Sequence, residues 1–192
     1  MRTTACALGL LLLLSGVAVA DRQVSGRIDF SPLGTLHTAE GDLNDMRQDT
    51  DTAYGIAAAV EFGIAQNFSI GFAPRYLFHV KGETHRDAGK ELDLGLRLKG
   101  RHALSPKTTL FGMVTPGYSI IYVPNTSIFS GLDPAGLILG IGGGVDFMVS
   151  PSVFLTIELG YTFGFQDESE GGVNYQYETD LLHLGFGLGT KF

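Results

Sequence analysis

The chain contains no tryptophan and one cysteine, and its 13 Lys and Arg stand against 20 Asp and Glu, a formal charge of −7. The lone Cys6 falls inside an N-terminal apolar run, so no disulfide and no cysteine-bound metal is expected. The excess of acid makes nucleic acid an unfavourable partner. Equally absent, beyond the N-terminus, is any apolar stretch of the ~18 residues that a transmembrane helix needs. Insertion into a membrane would therefore have to be by strands closed on themselves, because hydrocarbon tolerates no open sheet edge. Proline is sparse at 7 residues, whereas glycine reaches 27 and is scattered through the apolar segments instead of gathering in a linker.

Residues 1–20 read as a secretory signal: Arg2 supplies the positive start, Leu8 to Leu14 the apolar run, and Ala18-Val19-Ala20 the small-residue cleavage site before Asp21. Cys6 is followed by Ala7 and lies too early for lipid attachment, so no lipid anchor is expected. Residues 21–192 then form one domain.

Within that domain the dominant pattern is a period of two, the signature of strands with two unlike faces. Lys90 to His102 is the cleanest case, with Leu92, Leu94, Leu96 and Leu98 alternating with Glu91, Asp93, Gly95, Arg97 and Lys99. Similar alternation predicts strands over Val24 to Leu36, Thr52 to Ile64, Phe68 to His79, Lys107 to Val123, Ala135 to Val149, Ser152 to Phe165 and Tyr177 to Phe192. Pro116 suggests a bulge in the fifth. Polar connections separate them: His37 to Asp51, Val80 to Gly89, Pro124 to Pro134 and Gln166 to Gln176 are long. The turns at Ala65-Gln66-Asn67, Ser105-Pro106 and Ser150-Pro151 are short. Long and short connections alternate without exception.

The final strand sets Leu182, Leu184, Phe186, Leu188 and Phe192 against His183, Gly185, Gly187, Gly189 and Lys191. An apolar alternation ending on an aromatic residue resembles the last strand of bacterial outer-membrane β-barrel proteins, with Thr190 a mild departure. Together with the even strand count and the alternating loop lengths, the resemblance is to the eight-stranded OmpA/OmpX-like group. It implies an all-β, eight-stranded antiparallel up-and-down transmembrane β-barrel in the outer membrane of a Gram-negative bacterium, exported through the periplasm. It further implies that Phe186, Leu188 and Phe192 form the signal read by the barrel-assembly machinery, that outer-membrane lipid and lipopolysaccharide surround the wall, and that the protein is a monomer.

By parity Arg27, Arg75, Arg97, Lys99, Arg101 and Lys191 point inward, as do Asp29, Glu61, Glu91, Asp93, Asp146 and Glu158, with His183 among them. Equal numbers of cations and anions predict a paired interior, since each buried ion needs a partner to offset its desolvation. Tyr54, Tyr76, Phe78, Tyr122, Tyr161 and Phe163 near the loop ends, and Phe62, Phe68, Phe147 and Phe192 near the turn ends, predict two interfacial girdles. A soluble lipocalin-like barrel would need the parity inverted and would bury its apolar face instead.

For activity the sequence offers little. None of the histidines sits in the His-x-Ser pair of lipid A deacylating barrels; His183 and Glu158 have acid–base character without a nucleophile beside them. Gly140-Ile141-Gly142-Gly143-Gly144 is no phosphate loop, because the strand pattern continues through it. The acids Glu40, Asp42, Asp45, Asp49 and Asp51 lack the spacing of a calcium loop. The expectation is a structural or surface-interaction protein with no catalytic site, no cofactor and no metal. An OmpW-like conduit or binder is the alternative, and a lipid A-modifying enzyme a more distant one.

Overall fold

A computed structural model describes residues 22–40, 43–50, 52–80, 89–122, 133–170 and 173–192. The proposed leader and most of the connections Val80 to Gly89 and Pro124 to Pro134 lie outside the described residues. Every regular element among those described is a strand: β1 (Arg22–Glu40), β2 (Leu43–Thr50), β3 (Thr52–Ala65), β4 (Phe68–Val80), β5 (Lys90–Ser105), β6 (Thr108–Tyr122), β7 (Ala135–Met148), β8 (Val153–Glu170) and β9 (Val173–Lys191). From β3 onward each pairs antiparallel with the next, and β9 returns to β1, so the sheet closes. β2 lies on the same edge of β1 as β3 and in the same register, with Ser31 opposite Ala53 and Gly34 opposite Thr50. The two are thus one stave. The result is a closed barrel of eight staves.

Closure requires tilt. Followed around the wall, the partners of Ile28 run through Ile56, Tyr76, Leu92, Ile120, Ala135, Asp167 and Gln176, and the path comes back to β1 at Ala39. This offset corrects two of the expected loop boundaries. Within His37 to Asp51, expected as a loop, residues 37–40 and 43–50 are strand and pair as the upper part of β1 and β2. Within Gln166 to Gln176, residues 166–170 of β8 pair likewise with residues 173–177 of β9, as far as Glu170 opposite Val173. Backbone pairing across β1 and β9 continues to Glu40 opposite Tyr175, so neither segment needs an apolar face to stay extended.

Pro116 makes no bulge. It faces Leu139 in unbroken register with β7, while the β5 ladder omits its rungs between Gly95–Gly117 and Leu98–Val114 without a shift. Pro74 behaves alike, opposite Leu94 on β5 but missing from the β3 ladder. Lacking an N–H, proline forfeits a rung on one side and leaves the alternation of faces intact. The irregularity of the first strand is a bulge between Phe30 and Leu33 on its β9 side.

The alternation sorts the chain by face. Leu94, Leu96 and Leu98 are 39%, 46% and 41% exposed on the outside, and Arg97 between them is 6% exposed. Glycines on the inner face admit the large polar groups. A Cβ on Gly160 would lie 2.5 Å from His183 Cε1, and one on Gly185 would lie 2.5 Å from Arg27 Cδ.

Candidate functional site

Among the described residues, chemistry-bearing side chains converge in the lumen. Its centre is Glu158 on β8, fully buried. Arg27 of β1 forms an ion pair with it and also grips Asp29, two residues along on the same face, with Nη2 donating to Oδ2 at 2.9 Å. From the opposite wall Arg97 of β5 reaches Glu158 Oε2 at 3.3 Å and Glu61 Oε1 of β3 at 3.6 Å. Such cross-lumen bridges exist only because the sheet is closed.

His183 on β9 completes this layer. A guanidinium can only donate, so the contact of Arg75 Nη1 with His183 Nδ1 at 3.3 Å assigns Nδ1 as acceptor. The ring proton then sits on Nε2, 3.4 Å from Glu158 Oε1. Arg75 is further fixed by Asp93, to which Nε donates at 2.8 Å, and by Thr162 Oγ1 at 3.1 Å. Toward the loop end Glu91 accepts from Ser119 Oγ at 3.0 Å, beside the buried Leu77 and Ile121.

Toward the turn end Glu61 accepts from Ser69 Oγ at 3.1 Å and from Arg101 Nη2 at 2.6 Å, and Arg101 also reaches Gln23 Oε1 at 2.6 Å. Lys99 pairs with Asp146 at 3.1 Å and lies 3.8 Å from the centre of the Phe111 ring, a cation–π contact. Phe154 points inward here beneath Gly189. These charges are paired in the way that buried ions require. The space they leave at the centre is a cavity of about 40 Å³.

Of the residues expected in the interior, Arg27, Asp29, Glu61, Arg75, Asp93, Arg97, Lys99, Arg101, Asp146, Glu158 and His183 are brought into contact with one another. Glu91 lies buried next to this group; Lys191 is half-buried at the turn-side rim and joins none of the ion pairs among the described residues. Phe186, Leu188 and Phe192 line the outer face of β9 near the turn end, and Phe192 exchanges backbone hydrogen bonds with Arg22. Sequence reasoning missed Gln23, Thr162 and Phe154, although all three stand at inward parity. Among the described residues no group of His, Cys, Asp and Glu is arranged to hold a metal ion.

On the outside, aromatic rings collect where expected. Tyr54 stacks on Phe78 at 5.3 Å between centroids, Tyr76 meets Phe78 edge-on at 5.0 Å, and Tyr161 leans on Phe163 at 4.7 Å.

The family model of the outer membrane protein beta-barrel domain matches residues 6–191. The chain belongs to that family. Its place is therefore the outer membrane of a Gram-negative bacterium, with the leucine-rich face against lipid. No curated protein matches the chain. Among solved structures, the outer membrane protein OprG from Pseudomonas aeruginosa is similar in fold, with a TM-score of 0.59 and 14% identity over 91% of this chain and 96% of its own. AlkL follows at 0.55 and 13%, covering 90% of each chain. Neisserial surface protein A gives 0.54 and 12%, covering 88% of this barrel and 97% of its own. At such identities the likeness is one of fold.

Proposed function

We propose that this barrel is a structural and surface-interaction protein of the outer membrane, and not an enzyme. The observation that carries the reading is the lumen: charged side chains from opposite walls meet across it, around a central cavity of about 40 Å³. A wall braced from within presents its loop-side hairpins at a fixed height, and recognition in such proteins resides in the connections. Lipopolysaccharide and phospholipid would contact the outer face, the assembly machinery would read Phe186, Leu188 and Phe192, and the barrel would act as a monomer. Residues 1–20 would be removed on export, leaving Asp21 as the first residue. The partner at the loops would be a surface ligand of the cell's surroundings.

An OmpW-like conduit is the competing reading, and it calls for an apolar path. Arg97 and Glu158 stand where that path would run. His183 has acid–base chemistry, but both ring nitrogens face groups of the ion-paired cluster, and the nearby Thr162 hydroxyl is engaged by Arg75. Purified protein in planar bilayers tests the choice: a silent membrane is expected, and stable unitary currents would overturn the reading. Expression should also leave the mass of lipid A unchanged, and a shifted mass would restore an enzymatic role.

A further inference from the structure

We infer that Glu91 and Asp93, neighbours on the inner face of β5, form a proton-binding site in which one hydrogen is held between the two carboxyl groups. Both are enclosed by the barrel, at 0% and 2% exposure. Each is served from the side: Ser119 Oγ donates to Glu91 Oε1 at 3.0 Å, and Arg75 Nε donates to Asp93 Oδ2 at 2.8 Å. No N–H or O–H of another described residue reaches Asp93 Oδ1. The hydrogen bond that Asp93 makes beyond Arg75 runs to the carboxyl of Glu91. Ionised carboxylates only accept, so that bond requires a proton on one of the two.

The surroundings favour keeping it. Glu91 stands in register between Leu77 and Ile121, both buried and apolar, so a second full charge would rest against hydrocarbon on either side. The charged groups facing the pair are Arg75 from β4, Arg27 and Asp29 from β1, Arg97 from β5 and Glu158 from β8, with neutral His183 from β9. Arg27 is already engaged by Asp29 and Glu158, and Arg97 by Glu158 and Glu61. The balance of the whole lumen agrees. With Lys191 apart at the rim, six buried carboxyls meet five cations among the described residues. One proton restores equality.

Ordinary carboxyls of an unfolded chain are ionised at neutral pH, so folding takes this proton up. By linkage the barrel then loses stability as pH rises and the proton leaves. The site thereby ties the loop-side half of the wall to the acidity of the surroundings.

Glu91→Gln permits a direct test, because the amide supplies a permanent donor toward Asp93 while its oxygen still accepts from Ser119. The experiment compares wild type, Glu91→Gln and Asp93→Asn, carrying isotope-labelled Asp and Glu, by infrared spectroscopy in phosphatidylcholine vesicles at neutral pH. Melting in detergent is followed alongside, from about pH 6 to about pH 9. A neutral-carboxyl C=O band is expected in the wild type and in neither variant. The wild-type Tm should fall by roughly 2–4 °C over that range, while that of Glu91→Gln stays level. A wild-type spectrum without the band, a band that persists in both variants, or a Glu91→Gln barrel that declines with pH as the wild type does overturns the assignment. If the variants do not fold, the wild-type band decides alone: its fading as pH is raised supports the site, and its absence at neutral pH overturns it.

Discussion

The two faces of one strand obey different rules, and β5 displays both. Outward, Leu92, Leu94, Leu96 and Leu98 need only be apolar, because acyl chains conform to any smooth hydrocarbon surface. Inward, Asp93, Arg97 and Lys99 each meet named partners on another strand: Arg75, Glu61 with Glu158, and Asp146. The outer face is specified by composition and the inner one by identity. Substitutions should therefore be tolerated on the first according to polarity alone, and on the second according to which partner is left behind.

The largest break in that contrast should come from Glu158→Ala, which leaves Arg27 and Arg97 facing each other without their shared carboxylate. A loss of about 3–5 kcal/mol is expected in urea unfolding from lipid vesicles; Glu158→Ala with wild-type stability would show that the lumen is not held by its ions. Leu96→Arg, placing a cation on the outer wall, should cost about 2–4 kcal/mol by the same measurement. An unaffected Leu96→Arg would mean that this face does not meet hydrocarbon. A double-mutant cycle on Glu61 and Arg97 sharpens the inner rule: the pair Glu61→Ala with Arg97→Ala should fall short of the summed single losses by about 0.5–3 kcal/mol. Strict additivity would deny that the two side chains sense each other. Replacing Tyr76 by Ala should remove about 0.5–1.5 kcal/mol of ring contact with Phe78, and a loss exceeding that of Glu158→Ala would assign the girdle a larger part than the lumen. The smallest effect belongs to the hairpin above the wall. Shortening β1/β2 at its tip should leave the boiled and unboiled forms as distinct on a gel as before, and loss of that difference would make the hairpin part of the folding unit.

The faces were legible because a period of two survives every local disturbance, prolines included. Parity alone places Arg97 inside and Leu96 outside, and it does so for residues on every stave. What parity cannot convey is who meets whom. That Arg97 lies between Glu61 and Glu158 depends on curvature and on the register of three strands, neither of which leaves a mark in the order of residues. The upper hairpins were misread for a related reason. Polar sequence such as that from His37 to Asp51 signals a loop when strands are recognised by an apolar face, yet here pairing with β1 and β9 is sufficient. Pro116 misled differently: a missing N–H costs a rung, and a rung can be omitted without moving the register.

The hydrogen bonds between Arg22 and Phe192 join the beginning of the wall to its end. A wall complete only as far as β8 would therefore have two ragged margins, with its arginines unmatched across an axis that does not yet exist. Circular order of this kind makes the pairing of β9 with β1 the keystone, because no other contact closes the cylinder.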